Sequence, residues 1–171
     1  MDINTLKLFA EYNKKTNSEM NTIIQSLSPD QWEQEFAGYF NSIQSLCNHI
    51  YICDFHWLKR FSRLRNFKYI KNEIFDNEFQ FGTVVLKEIE AYIKYRQALD
   101  DLIIQFVNEI TPSDLDKHLK YIDSHNYEYK KPFGALVIHT FNHQTHHRGM
   151  ISIYLENLTI QNDFSNLADM L

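Results

Sequence analysis

Apolar side chains recur along this chain at the three-and-four spacing of an α-helix, in four long stretches separated by polar or aromatic connectors. The first covers about Asn4 to Ser26 and carries Leu6, Phe9, Ala10, Tyr12, Met20, Ile23, Ile24 and, just beyond it, Leu27. Ser28-Pro29-Asp30-Gln31 then reads as a helix start, with Ser28 as N-cap and Pro29 at the first position, opening a short connector turn that holds Trp32. The second stretch spans about Ser42 to Leu64, with Leu46, His49, Ile50, Cys53, Trp57, Phe61 and Leu64 on one stripe. Asn66 to Phe81 mixes aromatic and charged residues and reads as an ordered loop, which Phe75, Phe79 and Phe81 can pack down. A third helix is expected from near Gly82-Thr83 to about Asn108, ended by Thr111-Pro112-Ser113-Asp114. Alternation around Asp123-Ser124-His125-Asn126 predicts a small β-hairpin within 117–131. The fourth helix opens at Pro132-Phe133-Gly134 and runs to about Asn157, with Leu136, Thr140, His143, His147, Met150 or Ile151, and Tyr154 facing inward. The tail from Gln161 is expected to dock through Leu167, Met170 and Leu171. The pattern predicts an all-α fold, a four-helix bundle with a small β-hairpin before the last helix.

Composition supports long helices. Four Gly and three Pro leave few chain breakers, which argues against an all-β sandwich. The 171 residues fit a single domain over 1–171, long enough to bury a core without disulfides, and the 44% apolar content is that of an ordinary globular protein. A net charge of −5 speaks against a nucleic-acid partner. Lys59, Arg60, Arg63, Arg65 and Lys68 cluster all the same, and read as the solvated end of the second helix. The N-terminus lacks a positive region followed by an apolar run, and no segment reaches the ~18 apolar residues of a membrane span, so neither export nor a membrane is expected. Cys47 and Cys53 have no zinc-like or redox spacing, and the expected compartment is the cytoplasm, with both thiols reduced.

The candidate chemistry lies in the histidines. Eight are present, four of them between His139 and His147. His143 and His147 stand four apart, which puts two imidazoles on one helix face with Cβ atoms ~5–6 Å apart. Two rings so placed can share one metal ion at ~2.0–2.1 Å. His49 holds the equivalent inward place on the second helix. Three imidazoles from two facing helices leave an open coordination position, the layout of a catalytic metal site, whereas a closed structural zinc site uses a fourth protein ligand. Spacing leaves competitors. A histidine on an apolar helix face is more commonly a hydrogen-bonded core residue, although two side by side each require buried polar partners. His139 and His143 form a rival pair. His49, Cys53 and His56 share a face, so Cys53 is a candidate ligand, a thiol beside the metal, or simply a small buried hydrophobe. His56 reads as a rim or interface residue. His146 lies ~100° around the helix from His147 and off the site. His118 and His125 receive no role.

The segment His139-Thr140-Phe141-Asn142-His143-Gln144-Thr145-His146-His147-Arg148-Gly149-Met150 resembles the last helix of the DinB-like proteins, whose pattern there is roughly N-H-x-x-H-H-R-G-Q. Leu46-Cys47-Asn48-His49-Ile50, followed by Trp57-Leu58, resembles the family's second-helix segment with its first histidine. The likeness covers nearly the whole chain. It implies an up-down-down-up four-helix bundle that holds a divalent metal, most often zinc or nickel, through His49, His143 and His147. The sequence departs at Met150, where the family usually has Gln, which implies the loss of a hydrogen bond behind the ligands while leaving the ligands themselves untouched.

The resemblance takes in thiol S-transferases that use bacillithiol or mycothiol, and some isomerases. The implied function is that of a metal-dependent thiol S-transferase, with a low-molecular-weight thiol as partner and a small electrophile as substrate. No general base is assignable; Asp54 and Tyr154 are the nearby candidates. A metal-dependent hydrolase is a variant of the same reading. The alternative is a non-catalytic metal-binding protein of a stress or damage response, acting as a homodimer through aromatics such as Trp32 and Tyr51, for which core packing is the competing use. An enzyme needs a reachable open position beside a pocket, and a structural centre is sealed.

Overall fold

Helix starts fall where side chains can satisfy the first free backbone N–H groups. In the computed structural model, which describes residues 2–171, the Asp2 carboxylate accepts from the Thr5 N–H at 2.8 Å and α1 runs Ile3–Ile24. Ser28 and Gln31 close a capping box around α2, Pro29–Glu33, the connector turn that holds Trp32. The Trp32 indole N–H donates to the Lys87 carbonyl at 2.7 Å. Ser42 and Ser45 cap α3, Ile43–Phe61. α4 is Ile89–Glu109, α5 the single turn Pro112–Leu115, and α6 Phe133–Asn157. The hairpin is present: β1, His118–Ile122, pairs antiparallel with β2, Glu128–Pro132, with Lys120 opposite Lys130 and Tyr121 opposite Tyr129. The loop after α3 is ordered by two 3-10 turns, Tyr69–Lys71 and Glu73–Asp76, and buries Phe75.

The third long helix begins at Ile89, several residues later than the apolar spacing suggests, and residues 82–88 form no helix. The Asn48 side chain accounts for this. Its carbonyl accepts from the Val85 and Leu86 N–H groups at 2.9 and 2.8 Å, and its amide donates to the Leu86 carbonyl at 3.0 Å. With those backbone groups bound to α3, no helical turn forms there.

The protein is therefore mostly helical, with one two-stranded sheet. α1 packs against α4 and α6, and α3 packs against the same two helices. Between them lies one core, closed near the hairpin by Phe61, Phe106 and Phe133, with the first two rings stacked at 5.0 Å. Trp32 and Tyr51 belong to this core, at 2% and 0% exposure, and so give no interface. The tail docks through Phe164, whose carbonyl accepts from the Tyr12 hydroxyl at 2.8 Å, while Leu171 is exposed. Among the described residues no helix is long and apolar enough to cross a membrane.

The middle of the core is polar. Arg96, fully buried on α4, donates to Asp54 of α3 at 2.7 Å and to Asp100 at 2.8 Å. Asn17 of α1 donates to Asp100 at 3.0 Å, and Gln144 of α6 donates to Asp54. Arg148 donates to Asn13 at 2.6 Å. Two carboxylates and two guanidiniums thus balance inside one network that touches all four long helices. Burial pushes the Asp54 carboxyl up to about 6, against the pull of Arg96. Apolar faces can slide past one another, but directional bonds of this kind set a register. Asp54 follows Cys53, and Gln144 and Arg148 follow His143 and His147, so the same register places the histidines.

Candidate metal centre

The face shared by α3 and α6 brings three histidines to one point. The His49 Nε2 lies 3.2 Å from the Nε2 of both His143 and His147, and those two lie 3.1 Å apart. One helical turn explains the α6 pair, whose ring centroids are 4.4 Å apart. Their meeting with His49 is a product of helix packing. His147 is buried, and His49 and His143 are partly so. A neutral imidazole carries one N–H, so each Nε2 either donates or accepts, and the three edges of the triangle cannot all be hydrogen bonds at once. The Nδ1 atoms of His143 and His147 are buried with no hydrogen-bond partner among the described residues. Burial first, and neighbouring imidazoles second, hold all three histidines down at about 4. Each is therefore neutral at pH 7, with a nitrogen lone pair to offer.

Cys53 stands beside them. Its Sγ is 3.6 Å from both ring nitrogens of His49. One ligand atom each from His49, Cys53 and His143 lie within 4.8 Å of one another, a group that could hold a metal ion. The three imidazole nitrogens sit closer together than the thiol sits to any of them. Burial pushes the Cys53 thiol up to about 12. Two of its sequence readings therefore meet: it is a buried side chain and also a thiol beside the cluster.

The remaining candidates lie apart. His139 is exposed, edge-on to Trp57 at 5.3 Å, and its ring is 6.2 Å from that of His143. His146 is exposed, and its ring lies 4.8 Å from that of His147, with no part in the Nε2 triangle. His56 donates to the Phe79 carbonyl at 2.8 Å and holds the loop there. Asp54 is committed to Arg96 and Gln144, and the Tyr154 hydroxyl donates to the Phe40 carbonyl at 2.6 Å. Neither is free to act as a base.

One contributor escapes the sequence reading. Phe40 lies in the segment between α2 and α3, its ring 4.2 Å from that of His49 and 5.5 Å, edge-on, from that of His147. Gly38 permits this path: at its φ of 153°, an added Cβ would meet the Tyr154 hydroxyl at 2.6 Å. No periodicity marks such a loop. The one local signal is a glycine beside the aromatic pair Tyr39-Phe40.

A mostly helical fold with a His/Cys/His group able to hold a metal ion defines the class of this protein. The chain belongs to the DinB family, whose profile matches residues 1–160. It is 27% identical over 145 residues to Protein DinB of Bacillus subtilis (strain 168), covering 85% of this chain and 81% of that one. Its fold is similar to that of a DinB-like protein from Bacillus cereus ATCC 10987, with a TM-score of 0.62 at 17% identity, over 88% of this chain and 89% of the other. At that identity the likeness is one of fold.

Proposed function

We propose that His49, His143 and His147 hold a zinc or nickel ion and that the protein is a metal-dependent thiol S-transferase acting on a small electrophile. The observation that carries this is the convergence of three Nε2 atoms 3.1–3.2 Å apart. Nitrogens at the corners of a tetrahedral zinc shell with ~2.0–2.1 Å bonds stand roughly 3.3 Å apart. An all-imidazole donor set suits zinc, nickel, iron or copper, and zinc or nickel is the choice the family resemblance implies. When bound, such an ion lowers the pKa of a thiol presented to it, so that a thiolate is available at neutral pH. The chain's own residues do the rest. Three neutral imidazoles fix the centre on two helices, and Phe40 screens His49 and His147 from water. With Asp54 and Tyr154 both committed elsewhere, activation that needs no protein base fits best. The packing of α1, α3, α4 and α6 supports the family's up-down-down-up four-helix bundle as the arrangement behind this centre.

One observation favours the non-catalytic alternative. Cys53, its Sγ 3.6 Å from both ring nitrogens of His49, would close the centre as a fourth ligand. A thiol panel decides between the two. Metal-loaded protein is expected to conjugate at least one low-molecular-weight thiol to 1-chloro-2,4-dinitrobenzene, and chelation is expected to stop it. Metal uptake without turnover of any thiol would leave the closed centre and remove the transferase.

The low histidine pKa values predict how pH acts on metal binding. Protons compete with a metal only where the free ligands are protonated. With folded values of about 4, zinc affinity is expected to change by less than about tenfold between pH 8 and pH 5 and to collapse below about pH 4. Histidines at their ordinary 6.5 would already have lost roughly 10⁴-fold at pH 5. Competition titration with a chromophoric chelator across that range separates the two.

A further inference from the structure

The long helices of this chain meet solvent in different ways. α1 exposes Lys7, Glu11, Lys14, Lys15 and Glu19, and α4 exposes Glu90, Lys94 and Asp101. α3 has no fully exposed residue. α6 is exposed along its length but uncharged. Between Lys131 and Glu156 its only charged residue is Arg148, which is buried and bonded to Asn13. Its outward face consists of Ala135, Ile138, Asn142, Thr145, Gly149 and Ile153, all exposed and spaced three or four residues apart.

Three features of this face have no explanation within one copy of the chain. Ile138 and Ile153 leave 36% and 57% of their surface to water. Gly149 stands in mid-helix, where only proline is a poorer helix former, yet a Cβ there would meet nothing within 4 Å. The helix ends also carry the wrong charges. No side chain caps the N-terminus of α6 and its first turn has no acidic residue, while Glu156 stands in the last turn with no basic residue beside it. A helix dipole favours the opposite placement.

Two α6 helices packed antiparallel about a two-fold axis resolve all three. Such a contact uses the same patch on both copies. Setting Ile138 against the partner's Ile153 brings Asn142 to the partner's Gly149 and Glu156 to the partner's first turn at Ala135. The three pairings share one midpoint, between Thr145 and His146. The isoleucines then bury each other, glycine lets the backbones approach near the centre, and each carboxylate meets the positive end of the other helix. Two copies of a chain of net charge −5 repel, and among the described residues this uncharged helix face is where they can meet with least repulsion. The candidate ligands stay outside the contact, since His143 and His147 turn to His49 of α3.

We propose that the protein forms a two-fold dimer through the outer face of α6, with the two helices antiparallel. The dimer does not rest on the metal-centre reading. A contact one helix wide is at the small end of specific interfaces, so association in the micromolar range is expected.

Sedimentation equilibrium of the full-length chain, from about 1 to about 200 µM, reads this association. N142E places like charges across the contact, and G149L fills the gap near its centre. Each is expected to weaken the dimer about tenfold or more. G149L is also expected to raise the melting temperature of the dilute monomer, because leucine is the better helix former and its side chain meets open space. That split separates a lost contact from a damaged fold. E11K, on the charged face of α1, is expected to leave the dimer unchanged. E156Q is expected to weaken it, whereas in a parallel pair, with two Glu156 side by side, the same change would strengthen it. A monomer at about 200 µM overturns the proposal and leaves the face to a different partner. A dimer that N142E and G149L leave intact, or that E11K weakens as much as they do, overturns this face. A dimer strengthened by E156Q overturns the antiparallel arrangement.

Discussion

Alanine at His143 or at His147 is expected to strip the protein of its metal. Structural zinc sites bind with about 10–16 kcal/mol, so the loss of one ligand in three or four corresponds to a hundredfold or greater fall in affinity. The polypeptide itself is expected to survive. Either substitution removes a buried imidazole whose Nδ1 has no partner, from a triangle of nitrogens whose three edges cannot all be hydrogen bonds at once. Metal content of the purified variants, with melting curves beside it, gives the answer. One full equivalent of metal retained in both would sink the proposed centre. The C53S variant separates the two ligand sets this structure allows, His49 with His143 and His147, or His49 with Cys53 and His143. We expect C53S to keep its metal. If it loses the metal while H147A holds it, the thiol-containing set is the true one.

The largest expected effect on stability lies at Arg96. Replacing it with methionine keeps the bulk but leaves Asp54 and Asp100 buried without their shared cation. Breaking a buried ion pair from one side costs about 3–5 kcal/mol, a large part of the roughly 5–15 kcal/mol that holds a domain folded. For a chain of this size the melting temperature is expected to fall by roughly 10 °C or more. The exposed pair Lys14–Asp101, 2.6 Å apart, is the control. K14A is expected to cost no more than about 1 kcal/mol, because solvent screens both charges. Calorimetry of the two variants side by side tests the contrast, and equal losses would mean that the buried network contributes nothing special. Because Asp54, Gln144 and Arg148 each sit next to a residue of the cluster in sequence, loosening the network is also expected to spread the histidines.

The local features were legible in the sequence. Ser28, Pro29 and Gln31 announced the turn of α2, and the alternation around Asp123–Asn126 announced the hairpin, because such hydrogen bonds close within three or four residues. The pairing of His143 with His147 is equally local. The start of α4 was misplaced for the opposite reason. Val84 and Val85 continue an apolar pattern, but Asn48, from another helix, takes the backbone groups that a helical turn would need. No window of sequence contains that competition. Trp32 and Tyr51 likewise look available for an interface until the helices that bury them are in place.

The candidate centre divides along the same line. The sequence by itself determined that two imidazoles share one face of the last helix, that His49 and Cys53 share one face of the second long helix, and that the chain breaks too rarely for an all-β fold. Only the tertiary structure decided that His49 meets both α6 histidines while His139 turns outward to Trp57, that Cys53 stands 3.6 Å from His49, and that Phe40 packs on His49 and His147. Helical periodicity is set by bonds between near neighbours and survives in any short stretch. Which faces meet, and at what depth, depends on the rotation and register of whole helices, and here that register is held by the buried bonds joining Asp54, Arg96, Asp100 and Gln144 across the core.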